Sequence, residues 1–256
     1  GGWDRLLRLP LPVLAVLAQA ALLVAVPALA AVREFAVRGG GTPFPWDPPV
    51  RLVTSGPYAY LANPMQVSAV LLLFLLAGAT RSATLAGGAL VAAVFSVAVA
   101  GPHERGDLRG RHGAEWACYR GHVRDWVPRL RPYGGSPRGR LWLDDSCGPC
   151  GAVAAGLARR DPVRLEIVPA RLSPVRLWRA RYTAGDGFTA SGVAAVAAGF
   201  EHAGLLWAYA GWLLRLPILG PLAQLMTDAL IAAPHPAGGG EEGAGKIGAG
   251  PAGGRT

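Results

Sequence analysis

Apolar and polar positions divide the chain into blocks of very different rhythm. Leu9 to Val32 is uncharged over more than twenty residues, long enough to cross roughly 30 Å of hydrocarbon as a helix. Pro10 and Pro12 stand at its start, where a missing N–H costs little. Pro64 to Thr80 and Ala83 to Gly101 are two further apolar runs, parted at Arg81-Ser82. They predict a helical hairpin at the short end of spanning length. Gly87 and Gly88 would let its second arm pack closely on a neighbour. Between the first run and this pair, Arg33 to Arg51 is rich in Gly and Pro and predicts a connecting loop, with Trp46 suited to a membrane interface.

Beyond Arg140 the rhythm changes. Leu141-Trp142-Leu143 predicts a short strand, Cys147 to Arg160 a helix, and the alternation Val163 to Val168 a second strand. Leu177 to Thr183 reads as a third strand, turning at Asp186-Gly187 into Phe188-Thr189. Gly192 to Leu214 then predicts one long apolar helix, soluble or on the membrane surface. Glu201 and His202 fall in its middle, and a carboxylate at a bilayer centre costs about 3 kcal/mol. Pro217 to Ile231 predicts an amphipathic helix, and the Gly/Ala-rich stretch from Gly238 a disordered tail. Pro132 to Arg140 reads as a linker. The expected fold class is therefore mainly α: a polytopic helical membrane domain (1–131, spans near 9–32, 64–80 and 83–101), a linker (132–140), a small α/β domain (141–233) and a tail (234–256).

Composition agrees with that division. Of 256 residues 52% are hydrophobic and only 16% charged, and the mean hydropathy is +0.31, an integral membrane profile with a soluble part. The net charge of +9 is carried almost wholly by arginine, with Lys246 the sole lysine. A basic balance suits nucleic acid or anionic lipid, but no reading helix, zinc motif or aromatic-basic platform is present, so nucleic acid is not an expected partner. Pro102 to Arg140 holds nine arginines against four acids, which puts it on the cytoplasmic side, together with the Arg33–Arg51 loop. The lead with Arg5 and Arg8 then faces out, against that rule; a further span before Gly1 would resolve it. The first apolar run is too long for a cleavable signal peptide.

Two stretches carry candidate chemistry. A hairpin returns the chain to the side it left, so its polar flanks, Thr54–Pro64 and Pro102–Arg129, should meet at one membrane face. They contain Gly56-Pro57-Tyr58, Asn63-Pro64, Glu104, Gly113-Ala114-Glu115-Trp116, Tyr119 and Trp126-Val127-Pro128-Arg129. In that order and spacing, Arg51 to Arg131 resembles the isoprenylcysteine carboxyl methyltransferase and phospholipid methyltransferase superfamily. The resemblance implies S-adenosylmethionine as cofactor, held by Tyr58, Asn63, Pro64, Glu104, Glu115 and Tyr119, with a lipophilic or small-molecule methyl acceptor arriving from the bilayer. Carboxylates at Glu104 and Glu115 suit a sulfonium, and backbone amides near Asn63, or Arg120, suit the donor's own carboxylate. Ala62 stands where the superfamily has arginine, and Arg105 where it often has a second glutamate. Trp116, Tyr119 and Trp126 read equally well as interfacial aromatics.

The second stretch is Asp144-Asp145-Ser146-Cys147-Gly148-Pro149-Cys150. Cys-x-x-Cys opening a helix places the first thiol at the positive end of the helix dipole, where a thiolate is stabilised. Cys147 is the expected attacking thiol, Cys150 the resolving one, and Asp144 a modulator of the proton balance. In a reducing compartment such a pair is redox-active rather than structural. No metal is expected, because only Cys118 and scattered histidines remain as ligands. Cys118 itself reads as a small packed residue. The region Arg140–Ala233 resembles the Asp-Cys-Cys thiol-disulfide oxidoreductase family, which implies a thioredoxin-like fold and a thiol or disulfide partner. Asp145 stands where that family has glycine, and Pro174 is the candidate for its cis-proline. Two functions are therefore expected of one chain, methyl transfer and dithiol exchange. The alternatives are a membrane-anchored dithiol oxidoreductase whose methyltransferase-like part serves only as anchor, or a non-catalytic adaptor.

Overall fold

The computed structural model describes residues 2–42 and 47–231. Trp46 and the tail from Ala232 lie outside the described residues. A short lead helix, α1 (Gly2–Leu7), precedes α2 (Leu11–Glu34). Pro10 and Pro12 flank the first helical position, as proline's fixed φ favours. The helix does not end near Val32. It runs on through a π-helical turn, Phe35–Gly39, and stops where Gly40 takes φ +68°. Glu34 and Arg38, one turn apart and ion-paired at 2.9 Å, hold that extension. The loop expected from Arg33 therefore begins only at Gly40.

The hairpin forms α3 (Pro64–Thr80) and α4 (Ala83–Phe95). Arg81 turns in the left-handed region, and Ser82 caps α4 by accepting from the Leu85 amide at 3.2 Å. α4 does not stop at the polar boundary. A π-helical turn, Ser96–Ala100, leads directly into α5 (Gly101–His122), which kinks at Gly113. Pro102 follows the π turn, where the ordinary hydrogen-bond ladder is already interrupted and a missing donor is tolerated. Among the described residues, two helical stretches, Leu11–Gly39 and Ala83–His122, are each long and apolar enough to cross a membrane. α3 is a shorter apolar helix packed between α2 and α4. Val16, Leu23, Leu71, Val91 and Phe95 are exposed on the outside of these helices, as lipid-facing side chains would be.

The second part is a four-stranded mixed sheet with helices. β1 (Gly139–Leu143) leads through α6 (Gly148–Ala158) to β2 (Leu165–Pro169), parallel to β1. β3 (Arg181–Ala184) and β4 (Thr189–Ser191) form an antiparallel hairpin, with β3 antiparallel to β1. The order is β2-β1-β3-β4. The turn at Asp186-Gly187 forms as the sequence requires: Asp186 accepts from the Phe188 amide at 3.1 Å, and Gly187 adopts φ +89°. The third strand is shorter than expected: it begins at Arg181, and Leu177–Ala180 lines a groove.

One long helix from Gly192 to Leu214 does not form. The chain makes α7 (Val193–Phe200) and α8 (Leu205–Leu214), then bends by 86° into α9 (Leu219–Leu230). The break at Glu201–Gly204 has a physical cause. Its backbone groups are taken by distant partners: Tyr60 Oη donates to the Glu201 carbonyl at 2.7 Å, the His202 carbonyl accepts from the Val163 amide at 2.9 Å, and the Leu205 amide bonds to the Leu130 carbonyl at 2.9 Å. Gly204, at φ +133°, makes the corner.

Two cores result. One joins Val26 and Ala30 of α2 with Tyr60, Tyr119, Tyr133 and Trp212. The other sits between the sheet and α6/α7 around Leu141, Leu143, Leu157 and Tyr182. The linker stretch is not free between them: Tyr133 and Ser136 are buried, and Ser136 Oγ donates to the Thr54 carbonyl at 2.6 Å.

Candidate functional sites

The dithiol is built by the loop that leaves β1. Asp144 Oδ1 accepts from the Ser146 amide at 2.9 Å and from the Ser146 hydroxyl at 2.6 Å, an Asx turn that ends the strand. Cys147 occupies the N-cap position of α6, and its carbonyl accepts from the Gly151 amide at 2.9 Å. Pro149 falls within the first turn, where no donor is required. Cys150 follows one turn in. Both thiols are free and half-buried. Burial, a hydrogen bond to Cys147 and the charge of Asp144 push the Cys150 thiol up to about 12.

Asp144, Cys147 and Cys150 border a groove of about 370 Å³. Its walls are mostly apolar, from Val153 and Leu177 to Phe200, and α9 closes the far side. Arg179 spans that side in a two-point ion pair with Asp228, at 3.2 and 2.6 Å. Gln224 Oε1 accepts from the Val193 amide at 2.8 Å, so α9 also caps α7. Pro174 is not at this groove. It is trans and borders a different recess with Trp142, Glu166 and Val168. Cys118 is exposed on α5 rather than packed, with Tyr133 Oη 3.4 Å from its sulfur.

The polar flanks of the hairpin meet. The Ala62 amide bonds to the Arg124 carbonyl, and the Arg129 amide to the Tyr60 carbonyl, both at 2.9 Å. Tyr119 is fully buried, and its hydroxyl donates to the Tyr58 carbonyl at 2.8 Å. Tyr58 stacks on Phe35, ring centroids 4.9 Å apart. Burial, then the neighbouring Tyr119 and Glu104, push the Tyr58 phenol well above its usual range. Asn63, the N-cap of α3, lies 3.3 Å from Asp125 Oδ1, with Pro64 buried at the first helical position. Glu104 Oε2 accepts from Gln66 Nε2 at 3.4 Å. Tyr58, Asn63, Pro64, Glu104 and Tyr119 therefore share one neighbourhood. Glu115 does not join them. It lies past the Gly113 kink, exposed, on the side of Tyr133.

Sequence reasoning missed the centre of that neighbourhood. Asp125 accepts from Asn63, from Arg105 at 3.1 Å and from Arg120 at 2.8 Å. Arg105, read above only as a departure from the methyltransferase pattern, is its partner. A second unforeseen cluster joins the two parts of the chain. Glu34, 0% exposed, accepts from Ser55 Oγ at 2.8 Å and pairs with Arg38 and with Arg215, the latter at 3.4 Å. Arg215 also reaches Glu201, and Arg38 reaches Asp186. The only sequence signal was the oddity of Glu201 within an apolar run.

Comparison with family models, with curated proteins and with solved structures finds no match to this chain.

Proposed function

We propose that the chain is a membrane-anchored thiol-disulfide oxidoreductase. One observation carries the reading: Cys147, at the N-cap of α6, and Cys150, one turn in, are both free thiols bordering one apolar groove able to receive a partner. Cys147, at the N-cap of α6 on the rim of the groove, is the attacking thiol, reacting as its thiolate. That thiolate attacks a partner disulfide, and Cys150, held protonated until then, resolves the mixed disulfide. The sheet supports a thioredoxin-like reading: a central strand runs straight into the dithiol, and its helix crosses over to a parallel neighbour. The arginine excess of Pro102–Arg140 supports a cytoplasmic dithiol. The test uses the reduced full chain in detergent with 2-hydroxyethyl disulfide. Cys147→Ser should abolish exchange, and Cys150→Ser should accumulate a mixed disulfide on Cys147. Unchanged exchange in Cys147→Ser would refute the reading.

A second activity, S-adenosylmethionine-dependent methyl transfer, is favoured by a specific feature of the hairpin flanks. Three buried polar atoms in this region, Tyr58 Oη, Gln66 Oε1 and Arg129 Nη1, have no hydrogen-bond partner among the described residues, and the first two lie by Glu104. A carboxylate, a carbonyl oxygen and a hydroxyl around one point suit a cationic sulfonium. Glu104, Gln66 and Tyr58 would face that charge, while Arg120 and the amides near Asn63 suit the donor's carboxylate. When bound, the donor supplies an electrophilic methyl group, and the residues around it align the acceptor and exclude water. Glu115 takes no part in this arrangement. Calorimetric titration of S-adenosylmethionine tests it: binding lost in Glu104→Ala supports the reading, and absence of binding to the native chain leaves the hairpin as an anchor.

A further inference from the structure

α9 is amphipathic in the wrong sense for water. Its polar side chains turn inward. Gln224 caps α7 and donates to Asp228 at 2.7 Å, Asp228 pairs with Arg179, and Thr227 Oγ1 bonds back to the Ala223 carbonyl at 2.8 Å. Its large apolar side chains turn outward: Leu222 is 51% exposed, Leu225 68%, Met226 56% and Leu230 81%, with Ile218 at 80% just before the helix. A helix on a water-soluble surface does the reverse. The outward face recurs at 218, 222, 225, 226 and 230, one unbroken stripe along the helix.

Its position points to what covers that stripe. α8, from which α9 bends, packs on the first long apolar helix: Tyr209 hydrogen-bonds the Leu23 carbonyl, and Ala208 and Trp212 share a core with Val26 and Ala30. α8 and α9 taken together are also long and apolar enough to enter a membrane as a bent pair, so the stripe belongs to a helix pair that α8 anchors against the first long apolar helix. The opposite face of α9, with Ala223, Gln224, Thr227 and Asp228, is a wall of the dithiol groove.

We propose that α9 lies in the interface of the bilayer that α2 and α4 enter, and that the groove it walls takes a lipophilic disulfide from that bilayer. The second half of this statement rests on the dithiol reading above. The Cys147 thiolate attacks one sulfur of the substrate, forming a mixed disulfide and releasing the other half as a thiolate. Cys150 then attacks Cys147, forming the Cys147–Cys150 disulfide and releasing the second half. The protein dithiol loses two electrons, the substrate disulfide gains them, and the two thiol protons leave with the two products.

Two measurements on the full chain in phosphatidylcholine/phosphatidylglycerol liposomes test it. A nitroxide attached through Leu225→Cys, in a chain whose three native cysteines are serine, should collide with oxygen more than with a water-soluble nickel chelate. Preferential collision with the chelate would place the stripe in water, and exclusion of both would place it against a second protein copy; either overturns the proposal. In the second, the pre-reduced chain meets dioctyl disulfide or 2-hydroxyethyl disulfide, and formation of the Cys147–Cys150 bond is followed by thiol alkylation. Dioctyl disulfide should react at least about tenfold faster, the equivalent of two buried methylenes. Simple partition would also enrich it, so Leu225→Glu is the control. It faces away from the groove and should remove the preference while leaving the hydroxyethyl reaction in place. Equal rates, or a preference untouched by Leu225→Glu, would overturn the lipid route alone. Failure of both disulfides to oxidise the pair would overturn the redox reading with it.

Discussion

Arg38 Nη1 donates to Asp186 Oδ2 across 2.8 Å, joining residues 148 positions apart in sequence. The end of the first long helix is thereby tied to the β3–β4 turn. The same guanidinium lies 4.2 Å from the centre of the Phe188 ring, within cation–π range. Arg38 is held on three sides, by Glu34, Asp186 and Phe188.

Removing Glu34 should be far more damaging than removing Asp186. Glu34→Ala leaves Arg38 and Arg215 buried without their shared carboxylate, which costs about 3–5 kcal/mol. Asp186 is partly solvated, with a side chain 22% exposed, so Asp186→Asn should cost about 1 kcal/mol or less after screening. Denaturant unfolding of both variants in detergent checks the order.

Acid should loosen the α7–α8 corner. His202 Nδ1 lies 2.8 Å from the Val163 carbonyl and Nε2 2.8 Å from Tyr182 Oη. A carbonyl only accepts, so Nδ1 carries the proton of the neutral ring and Nε2 accepts from the tyrosine. Burial lowers the His202 pKa to about 4. The unfolded chain takes up a proton near pH 6.5 that the folded chain refuses until near 4. Stability is therefore intact above about 6.5 and falls through that window, by roughly 3 kcal/mol in all. Unfolding free energy measured from about pH 7.5 down to about 4 should show this loss, and His202→Gln should flatten it.

The two thiols of the dithiol should differ in reactivity. Cys150 stays protonated far above neutral pH, and only a thiolate alkylates readily. Iodoacetamide at about pH 8 should modify Cys147 at least about tenfold faster than Cys150, as mass mapping would show. Comparable rates would count against a division into attacking and resolving thiols.

Gly192 holds the α9 wall in place. It adopts φ +62°, and a methyl group there would collide with Gln224 Oε1. Gly192→Ala combines backbone strain with loss of the Gln224 cap on α7, about 1–3 kcal/mol together. Faster hydrogen exchange confined to Val193 and α9 is the expected signature.

Local rules made much of the fold readable. Pro64 begins α3 and Arg81-Ser82 breaks the hairpin because proline, the left-handed turn and the serine cap act within a few residues. Asp186-Gly187 turns for equally local reasons. What escaped was set by distant partners. Glu201 and His202 break an apolar run because Tyr60 and Val163 claim their carbonyls. Asp125 gathers Asn63, Arg105 and Arg120 only once the two flanks close on each other. For the candidate sites the same holds. The Cys147–Cys150 spacing is legible as it stands, but the groove before it is made by Leu177, Phe200 and α9, which no local pattern assigns to it.

The stretch between the membrane helices and the sheet is not a tether. Tyr133 donates its amide to the Ala59 carbonyl at 2.8 Å, its ring packs edge-on against Tyr119, and Ser136 is pinned to Thr54. Cutting the gene there would strip Tyr133 from the interior of the membrane half and leave that half's Thr54 carbonyl without its partner, while Trp212 of the other half would lose Val26 and Ala30. Whatever passes between lipid and thiol must then be studied in the intact polypeptide, because neither fragment inherits a finished interior of its own.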